Sequence, residues 1–257
     1  MKAKVIIQAR LGSTRLPGKV LLKVMDKTIL EYLIERIKKA KNVKDIIIAT
    51  TTKKQDLAII NLAQKLKINT YCGSENDVLD RFYQTAKAFN VMHIVRITAD
   101  CPLIDPEVVN KVIEEYFKSG ADYCSNVLER TFPVGEDVEV FNFRTLRHTW
   151  ENANFASERE HVTPYMMKHP EIFKLKNVRN NTDLGKKRWT LDRIEDFKFI
   201  KTVLETLYPV NPYFSMQDIL RLLERNPLLE IINKNVTSGE GYLKLLQEDR
   251  IVKPRTL

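Results

Sequence analysis

The stretch that decides the fold is Val5-Ile6-Ile7-Gln8-Ala9-Arg10-Leu11-Gly12-Ser13-Thr14-Arg15-Leu16-Pro17-Gly18-Lys19. Its apolar start predicts a buried strand, and the remainder predicts a loop at the carboxyl end of that strand. Gly12 and Gly18 permit positive φ and close backbone approach, so main-chain amides can point at phosphate oxygens. The loop also concentrates three cations, Arg10, Arg15 and Lys19. It therefore favours a polyphosphate site, although an ordinary basic turn remains the alternative.

Strand and helix patterns alternate through the first half of the chain. Apolar runs predict strands at 45–50, 68–72 and 93–97, and helical spacing predicts helices at 29–37, 56–66, 78–89 and 106–119. Such alternation predicts a three-layer α/β/α, Rossmann-like fold with a mostly parallel sheet.

Beyond Tyr123 the pattern is looser. We expect strands at 138–141, 172–175 and 188–191, and helices at 144–152, 158–168, 194–207, 216–224 and 241–248. No linker or repeat interrupts the chain, so residues 1–257 are predicted to form one domain in which 125–190 make a small inserted lobe.

The charge balance limits the class of partner. The chain has 42 Lys and Arg residues against 33 Asp and Glu residues, a net charge of +9, which attracts polyanions. The lysines are spread along helix faces and no nucleic-acid module is present, so we expect a small anionic ligand and no nucleic acid. The apolar runs are too short to insert into a membrane, and the strand at Val5 leaves no room for a signal peptide. A cytoplasmic protein is expected.

Two carboxylates are candidates for the chemistry. Asp100 follows the predicted strand at 93–97, and the carboxyl end of a strand in an α/β sheet is where ligands bind. Its alternative role is to cap the following turn. Asp192 precedes an acidic helix start, and its spacing from Glu195 also fits an N-cap with its capping-box partner.

Two segments carry a family resemblance. The segments "IIQARLGSTRLPGKVL" (6–21) and "RITADCPLID" (96–105) resemble those of the sugar cytidylyltransferases, which include the acylneuraminate and KDO enzymes. The resemblance is closest to the spore-coat polysaccharide branch. It implies a nucleotide-diphospho-sugar transferase-like fold, a homodimer built through the lobe at 125–190, and transfer of CMP from CTP to a sugar with release of pyrophosphate. It also implies that Asp100 and Asp192 hold Mg²⁺.

The resemblance assigns further roles to individual residues. Catalysis would fall to Arg10, Lys19 and Asp100. The nucleotide would be bound by Ala9, Arg10, Gly12, Ser13, Arg15, Lys19, Gly73, Asp77, Arg81 and Thr98. For the turn at 73–81, helix capping by its polar residues is an alternative explanation.

The sugar site is predicted from the second half of the chain. Asp137 and Glu139 share one strand face, where they would bind sugar hydroxyls or simply be solvated. Arg159-Glu160-His161 resembles a motif of the same branch, and His161 is a candidate sugar ligand. Either Arg159 or Arg188 would hold the carboxylate of an acidic sugar through a bidentate fork.

Two other functions remain open at this stage. A glycosyltransferase would use a preformed nucleotide sugar, but no D-x-D motif stands at a plausible strand end. A non-enzymatic polyanion-binding protein would show salt-sensitive binding without turnover. The second alternative leaves the two separated aspartates without a role.

Overall fold

The computed structural model describes residues 1–237, 239, 243, 246, 247 and 249–252. The strands within that part are β1 (Ala3–Gln8), β2 (Lys23–Val24), β3 (Lys27–Thr28), β4 (Val43–Thr51), β5 (Asn69–Gly73), β6 (His93–Thr98), β7 (Tyr123–Ser125), β8 (Glu139–Asn142) and β9 (Leu175–Asn177). The helices are α1 (Ile29–Lys39), α2 (Leu57–Lys65), α3 (Val78–Ala88), α4 (Pro106–Ser119), α5 (Phe143–Asn152), α6 (Ala156–His161), α7 (Pro164–Lys168), α8 (Ile194–Leu207) and α9 (Met216–Arg225). The helix predicted at 241–248 lies largely outside the described residues.

Seven strands form the central sheet in the order β5-β4-β1-β6-β8-β7-β9. Every neighbouring pair is parallel except the two that involve β8, which runs antiparallel to β6 and to β7. Strands β2 and β3 make a separate two-stranded hairpin. The predicted mostly parallel α/β architecture is confirmed.

Apolar side chains cover both faces of the sheet. Val5 and Ile7 of β1 are fully buried in a cluster with residues of α1, α2 and α4. Ile6 points to the opposite face and packs with residues of α3 and α5. Alternate residues of a strand face opposite sides, so this short run is buried between two helical layers.

Local sequence fixes where the helices begin. Thr28 and Glu31 form a reciprocal capping box at the start of α1. Asp105 accepts a hydrogen bond from the Glu107 amide and Pro106 occupies the first turn of α4, as the sequence predicts. Gly120, with φ of 60°, ends that helix.

The order of the strands places the ligand site. The chain runs from β1 outward to β4 and β5, and then returns to the other side of β1 to form β6. Ligands of open α/β sheets bind beyond the carboxyl ends of the strands at such a switch point. Both the loop at 9–19 and Asp100 leave the sheet there.

Three local predictions are wrong. The segment predicted as one helix at 158–168 forms two helices. Val162, with φ of 72°, ends α6, and Pro164 is the first residue of α7. The strand predicted at 172–175 begins only at Leu175, since turn hydrogen bonds from the amides of Ile172 and Phe173 to the carbonyl of His169 precede it. Residues 188–191, all of them described, make only an isolated bridge between Arg188 and Val134.

The segment predicted as an inserted lobe is joined to the main sheet. Residues 125–190 contribute β8 and β9 to the seven strands and α5, α6 and α7 to one face. Dimerisation through this segment stays a prediction. None of the helices in the described part of the chain is both long and apolar enough to cross a bilayer.

Candidate active site

The loop after β1 folds around the peptide groups of Leu11. Its amide donates to Oδ1 of the buried Asp56 at 2.7 Å. Its carbonyl accepts from the amides of Ser13 at 2.9 Å and Gly18 at 3.1 Å. Gly18 has φ of 70°, a conformation that favours glycine. The loop is therefore held by a tertiary contact as well as by its own turns.

One of the two predicted reasons for Gly12, a positive φ, is wrong, and close approach of its backbone to a phosphate stays a prediction. Gly12 is not among the glycines with positive φ in the described chain. A Cβ atom there would instead lie 2.9 Å from Oε1 of Glu75. Both that oxygen and Nε2 of Gln55, at 3.3 Å, are the ends of flexible side chains, so a larger residue here would displace these side chains and not the backbone.

Lys19 joins the two candidate carboxylates. Its Nζ donates to Oδ2 of Asp100 at 2.6 Å, to Oδ1 of Asp192 at 2.9 Å and to the carbonyl of Leu191 at 2.7 Å. Burial disfavours the charged ammonium, but the attraction of both aspartates outweighs burial and raises the pKa of Lys19. Lys19 thus carries its charge at neutral pH. The fold brings together three residues that are far apart in the sequence.

Further cations surround Asp192. Nη2 of Arg15 donates to its Oδ1 at 2.8 Å, and Nη2 of Arg188 donates to its Oδ2 at 3.2 Å. Burial opposes ionisation, yet Lys19 and Arg15 hold the pKa of Asp192 well below its usual range. The carboxylate of Asp192 is therefore ionised throughout the physiological pH range and can bind cations.

The pair Asp100 and Asp192 fits a hard divalent cation. Both carboxylates already converge on one positive atom, Nζ of Lys19, at 2.6 and 2.9 Å. Across the described residues there is no cluster of three or more His, Cys, Asp or Glu side chains able to hold a metal. Two carboxylates with phosphate oxygens and water suit Mg²⁺, which keeps much of its hydration. The Mg²⁺ site itself stays a prediction.

Two cavities meet above these carboxylates. One, of about 370 Å³, is lined by the loop after β1, including the predicted residues Ala9, Arg10, Ser13, Arg15 and Lys19. The other, of about 430 Å³, is lined by Asp137 and Glu139. Six residues line both: Gln8, Arg15, Thr98, Asp100, His161 and Asp192. The cavities therefore form one cleft with the carboxylate pair at its centre.

The acids of the larger cavity are oriented by partners. Nη1 and Nη2 of Arg130 donate to the two oxygens of Asp137 at 2.6 and 3.0 Å. Glu139 accepts from Tyr123 and Thr163, each at 2.6 Å, and forms an ion pair with Arg96. Bidentate and multiple hydrogen bonds fix the directions of these carboxylates. Their placement suits recognition of hydroxyl groups.

The structure adds Arg96 and Arg130 to the site. Arg96 is a charged residue between the apolar Val95 and Ile97 of β6, and this interruption is a signal that the sequence offers. Arg130 lies in an irregular segment without a periodic pattern, and its pairing with Asp137, seven residues later, is seen only in the structure.

Two predicted sugar ligands, Arg159 and Arg188, line neither cavity. Arg159 is only 3% exposed; its Nε donates to Asp77 at 2.8 Å and its Nη1 donates to the carbonyls of Trp150 and Ala153. Nε and Nη2 of Arg188 donate hydrogen bonds to the two carboxylate oxygens of Asp196, each at 2.9 Å, and Arg188 lines neither cavity. Protein groups thus engage both guanidiniums, and contact of either one with a sugar carboxylate stays a prediction.

The turn at 73–81 also lines neither cavity. Asp77 caps α3 by accepting from the amide of Asp80 at 2.9 Å. Arg81 is buried and donates to the carbonyl of Ser74, while a Cβ atom at Gly73 would lie 3.0 Å from Cγ of Arg81. Burial and the neighbouring Arg10 lower the pKa of Arg81 to about 10, so it remains charged. The capping explanation accounts for this geometry, and nucleotide contact stays a prediction.

The Arg188–Asp196 pair yields a prediction on stability. Asp196 is 0% exposed and also accepts from the amides of Asp192 and Arg193. Asp196→Ala removes two hydrogen bonds from a buried guanidinium and leaves it the longer contact with Asp192, at 3.2 Å, so we expect a loss of about 3 kcal/mol, the lower end of the range for breaking a buried ion pair. Urea unfolding measures the loss. As a control, Glu205→Ala in the exposed Lys201–Glu205 pair (3.8 Å) is expected to change stability by about 0.5 kcal/mol or less; equal effects would contradict the buried-pair assignment.

His161 yields a prediction on pH dependence. Burial and the cations Arg96 and Arg10 lower its pKa from 6.5 to about 4. In the unfolded chain His161 becomes protonated below about pH 6.5, whereas in the folded chain it becomes protonated only near pH 4. The free energy of unfolding therefore decreases as the pH falls from about 6.5 to about 4. We expect urea midpoints to drop less from pH 7 to pH 5 in His161→Gln than in the wild type. An unchanged drop would contradict a half-buried imidazole that stays neutral at pH 5.

Comparison with known proteins agrees with this geometry. An uncharacterised protein of Methanocaldococcus jannaschii is 43% identical over 238 residues, which is 92% of this chain and 96% of that protein. The spore coat polysaccharide biosynthesis protein SpsF of Bacillus subtilis is 33% identical over 229 residues, which is 86% of this chain and 94% of that protein. The solved structure of a cytidylyltransferase from Leptospira borgpetersenii shares a TM-score of 0.85 at 34% identity, covering 92% of this chain and 98% of that chain.

A family model described as cytidylyltransferase matches residues 4–236, a range that contains the loop after β1, both candidate carboxylates and the larger cavity's acids. The resemblance seen in the two sequence segments is thereby confirmed. The chain belongs to the cytidylyltransferase family and is a CTP-dependent nucleotidyltransferase.

Proposed function

We propose that this enzyme transfers CMP from CTP to a hydroxyl group of a sugar, with release of pyrophosphate. The observation that carries the proposal is the position of Lys19, Asp100 and Asp192 where the two cavities join. A nucleotide on the loop side and a sugar on the acidic side would meet at these three residues. Relatives named for polysaccharide biosynthesis support a sugar as the acceptor.

The cations of the loop would hold the triphosphate. Arg10, Arg15 and Lys19 line the smaller cavity, and their charges offset those of the phosphates. Lys19 is fixed by two carboxylates and a carbonyl, so little reorganisation is needed to stabilise the charge that grows on the departing pyrophosphate. Asp100 and Asp192 would hold Mg²⁺, which when bound supplies Lewis-acid polarisation of the phosphates.

The acids of the larger cavity would position the sugar. Asp137 and Glu139, each fixed by an arginine, would accept from its hydroxyl groups. The attacking hydroxyl oxygen forms a bond to the α-phosphorus while the bond from that phosphorus to the bridging oxygen breaks, and the hydroxyl proton leaves to Asp100, Asp192 or water. Alignment of the reactants accounts for much of the rate in such a transfer.

An assay of pyrophosphate release tests the proposal. Purified enzyme with Mg²⁺ is offered CTP, UTP, ATP or GTP with a panel of acidic and neutral sugars. Both classes of sugar are included because Arg96 and Arg130, which line the receiving cavity, are each paired with an acid of the same cavity. We expect pyrophosphate and a CMP-sugar from CTP and at least one sugar. Absence of product from folded enzyme with every pair, or turnover of a preformed nucleotide sugar without pyrophosphate, would overturn it.

A further inference from the structure

Asp56 occupies an unusual position at the start of α2. It stands at the N-cap, where an aspartate side chain ordinarily accepts from an amide of its own first turn. The Asp56 side chain makes no such bond. It is 0% exposed, and one of its oxygens accepts from the amide of Leu11, a residue 45 positions away, at 2.7 Å. This carboxylate therefore serves the loop after β1 and not its own helix.

The second oxygen of Asp56 is anchored to the sheet. It accepts from the hydroxyl of Thr51, the last residue of β4, which is 1% exposed. Strand pairing between β1 and β4 ends at Gln8 and Ala49, and the amide of Ala9 adds one further bond to the Ala49 carbonyl. Beyond the end of the β1–β4 pairing, the Asp56 side chain links the loop after β1 to β4 through its hydrogen bonds with Leu11 and Thr51.

The bond to Leu11 controls more than one residue. The carbonyl of Leu11 accepts from Ser13 and Gly18, and Lys19 follows directly. The peptide of Leu11 takes part in three hydrogen bonds of this turn, so a change in its orientation would displace the loop amides and the backbone from which Lys19 reaches Asp100 and Asp192. A displacement of about 1 Å in such a group costs about 100-fold in rate.

We infer that Asp56 is a positioning residue for the reaction: through the Leu11 amide it sets the conformation of the nucleotide loop and so the place of Lys19. The inference rests on the proposed function for its kinetic consequence. Its structural consequence, the order of the loop at 11–19, can be measured without any substrate.

Three variants separate positioning from general stability. Asp56→Ala removes both bonds. Asp56→Asn keeps them, because the amide oxygen accepts from Leu11 and the amide group donates to Thr51. Thr51→Val removes the anchor of Asp56 together with the hydrogen bond from the Lys53 amide to the Thr51 hydroxyl, and nearly preserves side-chain shape. Asp26→Ala, at an exposed aspartate of the β2–β3 turn, is the matched control. Urea unfolding identifies conditions in which each variant is fully folded.

Amide exchange, CTP titration and steady-state kinetics are then measured. For Asp56→Ala we expect at least about tenfold faster exchange at Ser13 and Gly18, and about 100-fold lower kcat/KM for CTP with a raised KM. Asp56→Asn is expected within a few-fold of the wild type and Thr51→Val between the two. If Asp56→Ala does not fold, the comparison of Asp56→Asn with Thr51→Val decides.

Three results would overturn the inference: wild-type CTP affinity and exchange in folded Asp56→Ala, equal damage in Asp56→Asn, or no effect of Thr51→Val when Asp56→Ala is unfolded. Failure of the proposed function is a different result. It would appear as wild-type enzyme that neither binds CTP nor releases pyrophosphate, while the exchange measurement still tests the role of Asp56.

Discussion

Replacing Lys19 with methionine is expected to lower kcat for pyrophosphate release by about 10²–10³-fold, the loss typical of removing one preorganised donor to developing charge. Methionine retains most of the side-chain volume, and Lys19 lies at the edge of the cleft and not in the apolar core. The loss should therefore come from chemistry and not from unfolding. Steady-state rates with saturating CTP and a urea midpoint for the same sample measure the two effects.

A substitution at Lys23 is the matched control for the Lys19 variant. Lys23 is exposed in β2, and Lys23→Met changes the net charge by the same amount without touching the cleft. We expect near wild-type turnover from it. Comparable rates for the two variants would show that general charge, and not the ammonium between Asp100 and Asp192, assists the reaction.

Asp100→Asn is expected to lower turnover by about 10³-fold. The change removes one of the two carboxylates that fit Mg²⁺, and Lewis-acid stabilisation of phosphate charge is worth several kcal/mol, at 1.36 kcal/mol for each tenfold in rate. It also leaves Lys19 paired with Asp192 alone. The amide is nearly isosteric and Asp100 is partly exposed, so the fold should persist.

Titration with Mn²⁺ in the presence of CTP distinguishes loss of the cation from loss of shape in the Asp100 variant. We expect weaker Mn²⁺ binding in Asp100→Asn and unchanged binding in Asp26→Asn, which alters an exposed carboxylate that lines neither cavity. Wild-type Mn²⁺ affinity together with lost turnover would contradict Asp100 as a metal-binding residue.

The features that could be predicted from the sequence were those that depend on short segments. A few consecutive residues are enough to recognise each of three features: the apolar run Val5–Ile7, the basic loop, and the strand-end position of Asp100. The structure places all three at the switch point of the sheet. The opening of α4 by Asp105 and Pro106 is local in the same sense. Asp192 needed the family resemblance, since its own surroundings fit a helix cap equally well.

The remaining features depend on partners distant in sequence. Nothing near Arg188 reports that Asp196 will be completely buried beneath it, and nothing near Arg159 reports the carbonyls that it meets. Exposed and buried arginines look alike in a sequence. The sequence around Asp56 likewise indicates only the start of a helix. Its role depends on a hydrogen bond with Leu11, which is 45 residues away in the sequence.

The most direct test of the central claim is ³¹P NMR of a single reaction containing enzyme, Mg²⁺, CTP and the sugar identified by the panel. The account predicts loss of the three CTP resonances, one new phosphodiester resonance for the CMP-sugar and an equal amount of pyrophosphate, with none of these changes in Lys19→Met on the same timescale. Formation of free CMP and pyrophosphate with no sugar phosphodiester, or an equally fast reaction in Lys19→Met, would contradict it.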